Sequence, residues 1–430
     1  MKLFQQMLVA GASLSLITPM VAQASDYVNL DEINSYSRSE SKSEKFDSKT
    51  FVKNINGDIA DIDDLEVQEK QLEAGTFSDT TTLDGKAVFA IGAIDGNDTL
   101  GLGEAITTPY VYQMNLNTSF TGDDNLYVRL KTGAGWADWI HKPLYHIEGT
   151  SYTDTLHVDK MWYTFPIGEK FTATIGPKIE NYYMLAATPS VYKPGALKAF
   201  KLGSHSSAFG ASTSTGAGLT YKADNGFASS LTFNSKQAKT ATGLFTKGDQ
   251  TKINLQTAYT ADNYHVSATY SKQRGWNSWS YYSTKDLANG ASTTGASAAK
   301  SDSVALRAWF RPEEAGTTTP SISLGYDIID FGLTHSNGVA EGSGYFVGLN
   351  WSDMIQPDDK IGIALGQPMK ATKVSSGTLS EIDPFMWEAY YSFRPNDSIE
   401  VTPAVFGGTD VYEDTEDDLF GAVLKTTFKF

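Results

Sequence analysis

The sequence predicts an all-β fold: a 16-stranded antiparallel transmembrane β-barrel with a short N-terminal periplasmic extension. Three observations support this prediction. From Lys86 onward, apolar and polar residues alternate in one segment after another, which is typical of strands with two different environments. The connections between these segments alternate between short turns and long loops. Beyond the N-terminal leader, no apolar run approaches the ~18 residues that a transmembrane helix needs.

The first 24 residues are typical of an export signal. Lys2 supplies a positive charge, an apolar stretch runs from Met7 to Val21, and Ala22-Gln23-Ala24 supplies a small-x-small cleavage site. We therefore expect residues 1–24 to be removed and the protein to leave the cytoplasm. The chain has no cysteine, which excludes disulfides and thiolate metal sites.

Residues 25–71 form an acidic extension before the predicted barrel at 72–430. Residues 25–50 are rich in serine and mixed charge, as in a flexible tether. Apolar residues at partial heptad spacing between Phe51 and Leu72 indicate a short coiled coil or, more in keeping with so few heptads, a solvated acidic helix. The net charge of −16 argues against nucleic-acid binding, which needs a basic face.

The strands are expected to turn an apolar face outward to lipid and a polar face inward to a lumen. In "YVYQMNLNTSF", Tyr110 and Phe120 end the apolar face ten residues apart. At ~3.3 Å per residue and ~40° tilt, that distance spans about 25 Å, the height of a lipid-facing band. The final stretch "DLFGAVLKTTFKF" alternates in the same way, with Phe428 and Phe430 on the apolar face and Lys425 on the polar face.

Connection lengths favour a barrel over a secreted sandwich. Short turns are predicted at 121–125, 166–170, 223–226, 260–263, 312–319, 353–359 and 394–397. Longer loops are predicted at 95–109, 134–156, 178–207, 235–251, 272–302, 329–343, 368–383 and 407–418. Short turns on one side and long loops on the other are the layout of bacterial outer-membrane barrels, and sixteen strands leave an aqueous channel.

Six segments, in order, resemble the cyanobacterial porins of the OprB-type carbohydrate-porin family, often called iron-uptake porins. They are "LEAGTFSDTTTLDGKAVFAIGA" (72–93), "LNTSFTGDDNLYVRLKTG" (116–133), "DKMWYTFPIGEKFTATIGPK" (159–178), "GYFVGLNWSDMIQPDDKIGIALGQP" (344–368), "WEAYYSFRPNDSIEVTPAVF" (387–406) and the final "GAVLKTTFKF". The surface-layer-homology domain usual in this family is not recognisable in residues 25–71.

The resemblance implies an outer-membrane homotrimer, embedded in lipid, that passes small hydrophilic solutes and inorganic ions, iron included. It also implies that Phe430 is part of the signal read by the barrel-assembly machinery. A carbohydrate-selective porin with sugar-stacking loops is the first alternative. An envelope tether with a minor channel role, resting on residues 25–71, is the second.

A channel of this kind needs fixed charges in a wet lumen rather than catalytic groups. Strand parity places ten charged residues inward, eight of them basic: Arg129, Lys131, Lys160, Arg307, Arg311, Glu388, Arg394, Glu400, Lys425 and Lys429. We predict that Arg129, Lys131, Arg307, Glu388 and Lys425 line or constrict the pore and either favour anions or leave the selectivity weak. Arg311, Arg394 and Lys429 are expected at the periplasmic mouth, and the acidic stretch 410–418 is expected to attract cations at the outer mouth. The alternative for each residue is an ordinary solvated lumen position.

Other candidate sites have weaker signals. His141, His146, His157, Glu148 and Asp154 share one loop region without a tight metal-binding spacing, and "DGNDTLGLGE" (95–104) fails the calcium-loop pattern at Thr99 and Leu100, so no metal or cofactor is expected. Six aromatic residues cluster in long loops: Trp136, Trp139, Trp276, Trp279, Tyr281 and Tyr282. They either stack against sugars or, in the favoured interpretation, pack a loop that folds into the pore. An enzyme is not expected, because no Gly-x-Ser-x-Gly elbow or cysteine nucleophile is present.

Overall fold

A computed structural model of the chain describes residues 76–78, 80–95, 105–135, 154–204, 208–209, 213–276, 300–331, 339–374, 379, 383–410 and 418–430. The predicted export signal (1–24) and extension (25–71) lie outside these residues. Within them, no helix combines the length and apolar character required to cross a membrane.

The described residues form seventeen strands. They are β1 (Thr76–Ser78), β2 (Thr81–Asp95), β3 (Tyr110–Thr118), β4 (Asn125–Ala134), β5 (His157–Ile167), β6 (Phe171–Ile179), β7 (Ser214–Lys222), β8 (Phe227–Ser235), β9 (Thr251–Thr260), β10 (Tyr264–Arg274), β11 (Lys300–Phe310), β12 (Ser321–Asp330), β13 (Val339–Ser352), β14 (Lys360–Val374), β15 (Phe385–Asn396), β16 (Ile399–Thr409) and β17 (Leu419–Lys429). β1 pairs only with the start of β2, and β2 to β17 pair antiparallel in chain order.

The sheet closes between β17 and β2, which confirms the predicted 16-stranded antiparallel barrel. The register runs from Phe420 opposite Asp95 to Lys429 opposite Lys86. Beyond it, the Gly85 N–H donates to the Phe430 carbonyl oxygen at 2.8 Å, and the Phe430 N–H donates to Gly85 at 3.1 Å. Closure pairs the backbone groups of the two end strands, as a hydrocarbon surrounding requires.

The two faces of the wall differ as the sequence predicts. On β9 to β12, large apolar side chains are exposed outward, among them Leu255 at 46%, Val266 at 50% and Leu324 at 46%. Their inward neighbours Asn254 and Gln256 are polar and fully buried. Exposed apolar side chains over a polar interior are what a barrel presents to lipid.

Connection lengths follow the predicted alternation with one exception. The connections 119–124, 168–170, 223–226, 261–263, 353–359 and 397–398 are shorter than those that alternate with them along the chain, 96–109, 135–156, 180–213, 236–250, 275–299, 331–338, 375–384 and 410–418. The exception is 311–320, which is longer than 331–338 and 410–418. β13 and β14 extend further than predicted, to Val339 and Val374, because register shifts near Glu341 and Ser343 let pairing continue past irregular positions. The two rims of the barrel are called the short-turn end and the long-loop end.

Candidate functional site

The connection between β6 and β7, residues 180–213, is called the lumen loop, and its described residues 180–204, 208–209 and 213 lie against the inner wall of the barrel. Ala187 exchanges two hydrogen bonds with the Gln256 side chain of β9, both 3.0 Å long. Further along, the N–H groups of Val191 and Tyr192 both donate to the Ser323 hydroxyl of β12 at 3.1 Å. The loop therefore crosses the interior from β6 towards the far strands and narrows the lumen.

Glu388 on β15 holds the middle of the lumen loop. Its carboxylate accepts hydrogen bonds from the Tyr192 hydroxyl at 2.7 Å and from the N–H groups of Gly195 at 3.0 Å, Ala196 at 2.9 Å and Leu197 at 2.7 Å. Hydrogen bonds to a charged group are each worth about 1.5–3 kcal/mol. Of the two roles predicted for Glu388, lining or constricting the pore, the structure places its side chain at 0% exposure with its carboxylate bound to the loop backbone, so it holds the loop and does not meet open water.

Arg307 on β11 holds the end of the same loop. Its Nε donates to the Leu202 carbonyl and its Nη2 to the Ser204 carbonyl, both at 2.8 Å, and Nη2 also bonds both Asp327 oxygens at 2.8 and 3.0 Å. The residue is 3% exposed, so Arg307, like Glu388, contacts the loop and does not meet open water in the lumen. On β12, Gly325 is required, because a Cβ there would collide with the Gly203 carbonyl of the loop.

An apolar cluster completes the anchoring of the lumen loop. The Tyr192 ring lies 5.4 Å from that of Phe346, and the Phe200 ring 5.3 Å from the same residue. Met386 and Phe406, on β15 and β16, are buried in this cluster. Sequence analysis missed this cluster, although its signal was present: these residues place apolar side chains at inward positions, where a lumen facing only water would have polar ones.

Charged groups also hold the start of the loop. Lys160 on β5 forms an ion pair with Glu180 and donates to the Thr213 hydroxyl at 2.6 Å. Burial raises the pKa of Glu180, but the Lys160 ammonium, a hydrogen bond from Tyr182 and the charge of Lys201 together lower it more, leaving the pKa at about 2 instead of 4.5. Nearby, Arg129 Nη2 donates to the Tyr183 hydroxyl at 3.1 Å and is only 5% exposed, so the predicted pore-lining Arg129 is also covered.

Lys131 lies two residues beyond Arg129 on β4, so it shares the inner face of the strand, and it is half-buried. It pairs in register with His157 of β5. Among the predicted constriction residues, Lys131 lies near the start of the lumen loop, beside Arg129. The structure thus separates Lys131 from the groups that anchor the loop's middle and end.

A second charged region lies between the lumen loop and the inner wall at the short-turn end, and is called the basic recess. Glu400 on β16 forms an ion pair of 3.1 Å with Lys429 and lies 3.7 Å from Arg394. Five lysines line the recess around this carboxylate: Lys86, Lys193, Lys360, Lys425 and Lys429. The structure brings the predicted Lys425, Lys429 and Arg394 together, whereas Arg311 lies elsewhere, its guanidinium 5.6 Å from the Trp309 ring.

Sequence analysis missed three members of the basic recess. Lys193 belongs to the lumen loop, so strand parity could not assign it a direction. Lys86 and Lys360 lie at inward positions of β2 and β14, and extending the parity count to those two strands would have found them.

Of the loop aromatics, Trp276 is described, and it packs inside the protein. It is 2% exposed, its ring lies 4.9 Å from Lys236 Nζ and 6.0 Å from Lys252 Nζ, and its carbonyl accepts a hydrogen bond from Lys236 at 3.3 Å. This contact geometry favours the packing interpretation for Trp276. Outside the described residues lie Trp136, Trp139, Trp279, Tyr281, Tyr282, His141, His146, Glu148 and the stretch 96–104.

His157 and Asp154 are exposed, and Asp154 accepts a hydrogen bond from the Tyr110 hydroxyl. Across the described part of the chain, no group of three or more histidine and carboxylate side chains is arranged to hold a metal ion. For the loop residues outside the described part of the chain, the expectation from the sequence that no metal is bound stays a prediction.

A closed 16-stranded barrel with an apolar exterior and a long loop folded onto its inner wall defines an outer-membrane porin. The chain belongs to the OprB family of carbohydrate-selective porins, whose family model matches residues 57–430.

The chain is also similar to individual proteins. An uncharacterized protein of Nostoc sp. strain PCC 7120 is 26% identical over 412 residues, covering 86% of this chain and 68% of the relative. An uncharacterized protein of Synechocystis sp. strain PCC 6803 is 23% identical over 381 residues, covering 80% and 67%. The high-pH structure of Pseudomonas putida OprB is 14% identical with a TM-score of 0.57, covering 84% of this chain and 96% of that structure, and this likeness concerns the fold.

Proposed function

We propose that the protein is an outer-membrane channel through which small hydrophilic solutes and inorganic ions diffuse passively. The observation that carries the proposal is the lumen loop, which Glu388 and Arg307 hold against the inner wall of a closed barrel. A fixed loop limits the size of solutes, and the charges that remain beside the water path bias which ions pass. No step of this function needs a catalytic group.

The narrow part of the channel is proposed to favour anions. The basic recess sets five lysines against Glu400 on the short-turn side of the lumen loop. A concave surface of one charge raises the local concentration of ions of opposite charge. The acidic stretch 410–418 of the sequence is proposed to have the opposite effect at the outer mouth.

Purified protein in a planar bilayer tests both statements. We expect stable single-channel current steps in KCl. In a KCl gradient, we expect a reversal potential whose sign indicates that anions permeate better than cations. A bilayer that stays silent after insertion of folded, heat-modifiable protein would contradict the channel. A clear cation-selective potential would leave the channel in place and contradict the anion preference.

Carbohydrates are the alternative cargo, supported by the description of the family to which the chain belongs. Liposome-swelling rates with uncharged sugars of increasing size distinguish the two. A general channel predicts rates that fall smoothly with size, without saturation. Saturable entry of one sugar, together with block of the ion current by that sugar, would favour a carbohydrate-selective channel.

Several finer proposals follow the resemblance of the six motifs. Iron ions belong to the proposed inorganic cargo, residues 1–24 are the proposed export signal, and Phe430 the proposed assembly signal. Uptake of radiolabelled iron into proteoliposomes, N-terminal sequencing of the mature protein and the yield of a Phe430 deletion test them in turn.

A homotrimer is also proposed, by analogy with the porin architecture. Chemical cross-linking and light scattering in detergent test the trimer. A role of residues 25–71 as an envelope tether would be supported by co-sedimentation with peptidoglycan that a chain lacking residues 25–71 has lost.

A further inference from the structure

We propose that the basic recess is a binding subsite for divalent oxyanions of the phosphate type. The inference rests on the proposed channel function and adds to it a specific, saturable site. The recess is lined by residues of β2, β14, β15, β16 and β17, and by Lys193, Pro194 and Gly195 of the lumen loop.

Lysines are the most frequent of the residues that line the recess. Lys86, Lys193, Lys360, Lys425 and Lys429 contribute five positive charges, and Glu400 contributes one negative charge. Glu400 is also shared: besides its 3.1 Å ion pair with Lys429, it interacts with Lys425 and Lys360. Lys429 in turn interacts with the neighbouring cations Arg394 and Lys193.

These cations are partly withdrawn from water, which strengthens their mutual repulsion. Lys86 is 6% exposed and Lys425 9%, and the Lys429 side chain is 12% exposed. Like charges gathered where the effective dielectric is low are stabilised by a ligand of opposite charge. A dianion offsets more of the excess than chloride does, so the arrangement favours multivalent anions.

The hydrogen-bonding groups of the recess suit an oxyanion. Each ammonium offers three donors, and the hydroxyls of Ser392, Thr402 and Thr427 also line the recess. A tetrahedral oxyanion presents several oxygens that can accept from donors arriving on different sides. The free volume of about 60 Å³ is several times the ~10–15 Å³ that one water needs, and so admits a small ion.

The same surface does not suit a sugar. Sugar recognition commonly uses an open aromatic face, and Tyr390 is the aromatic residue among the described groups that line the recess. Its ring is covered: a Cβ at Gly195 would lie 2.6 Å from it, and a Cβ at Gly362 would collide with it. Its hydroxyl accepts a hydrogen bond from the Asn350 side chain at 2.8 Å.

The test is a phosphate titration of single channels held in KCl at constant ionic strength. We expect inorganic phosphate to reduce the chloride current saturably, sulfate to act similarly, and nitrate to have no such effect. The double variant Lys360→Gln/Lys425→Gln should need at least about tenfold more phosphate for half-block, since each lost ammonium removes a charge-assisted contact. Lys425→Arg keeps the charge and should keep the block.

Lys170→Gln is the matched control, because Lys170 lies in the 168–170 turn, 2.7 Å from Asp224 and 41% exposed. It should not change the half-blocking concentration. Wild-type channels that conduct but show no saturable phosphate block would overturn the subsite and leave the channel function standing. Equal block of the double variant and the wild type would overturn it too. A silent wild-type bilayer is a different outcome, because it contradicts the channel itself.

Discussion

Two sides of the lumen use inward basic residues differently. On the anchored side, Arg307 donates hydrogen bonds to both Asp327 oxygens and to two loop carbonyls. On the recess side, the Glu400 carboxylate interacts with three lysines, Lys425, Lys360 and Lys429. Both sides present basic residues at inward positions of β-strands. On the first, opposite charges and backbone dipoles satisfy each cation and bury it. On the second, cations outnumber carboxylates at the edge of a free volume. An inward direction therefore does not by itself indicate whether a charge holds the structure or meets a solute.

The largest expected effect comes from removing the central anchor. Glu388→Ala deprives the Tyr192 hydroxyl and three loop N–H groups of their acceptor. Since leaving buried donors unsatisfied costs about 1–3 kcal/mol each, we expect the loop to detach and the channel to conduct more current with added noise. Single-channel recordings and thermal unfolding measure the two effects.

Glu341→Ala is the control for this change, because Glu341 forms an exposed pair with Lys373 at 2.7 Å. Such a surface pair contributes at most about 1 kcal/mol. If Glu388→Ala left both conductance and unfolding temperature at the control values, the anchoring role assigned to Glu388 would be wrong.

The next effect tests the buried pair on the same side. Arg307→Met leaves the Asp327 carboxylate, which is 0% exposed, without its cation, and we expect a loss of stability of about 3–5 kcal/mol. Arg307→Met/Asp327→Asn removes both charges and should regain part of that loss. Guanidinium unfolding in detergent compares the two variants, and equal stabilities would show that the unpaired charge is not the cause.

A smaller effect depends on pH. Burial raises the pKa of Glu180, but Lys160, helped by Tyr182 and Lys201, outweighs burial and brings the pKa down to about 2, below its usual value of 4.5. Because the folded-state pKa is depressed, the stabilisation is fully present above about pH 4.5 and is lost as the pH falls to about 2. Glu180→Gln should remove roughly 2–3 kcal/mol at pH 7 and flatten the melting temperature over this window.

Melting temperatures from pH 7 to pH 2 for Glu180→Gln, wild type and Glu169→Gln test this prediction. Glu169 is exposed in the 168–170 turn and serves as the control. A Glu180→Gln profile parallel to that of wild type throughout the window would contradict the role of the pair.

The smallest effect belongs to a single recess charge. Lys425→Gln removes one of five lysines, so we expect the anion-to-cation permeability ratio to fall by about twofold while folding is unchanged. Lys373→Gln, at the exposed pair with Glu341, should leave the ratio as it is. Reversal potentials in a KCl gradient measure both variants, and a ratio unchanged in Lys425→Gln would remove the recess from ion selection.

Much of the architecture follows from local patterns. The alternation in "YVYQMNLNTSF" and in the final strand indicated which side chains meet lipid, because a strand turns successive residues to opposite faces. The alternating connection lengths indicated the strand number and the barrel layout.

The fate of the inward charges was not predictable in this way. Glu388 and Tyr192 are separated by 196 positions, and Arg307 and Leu202 by 105. No local pattern encodes contacts at such separation, and the lumen loop has no strand periodicity from which its path could be inferred.

By itself, then, the sequence determined the closed barrel and its two faces, because these depend on the periodicity of neighbouring residues. The tertiary structure alone decided that Arg307 and Glu388 became loop anchors and that Lys86, Lys193 and Lys360 joined Lys425 around Glu400. The physical reason is that the role of an inward charge depends on which distant backbone donors, acceptors and counter-charges the closed barrel brings within hydrogen-bonding reach.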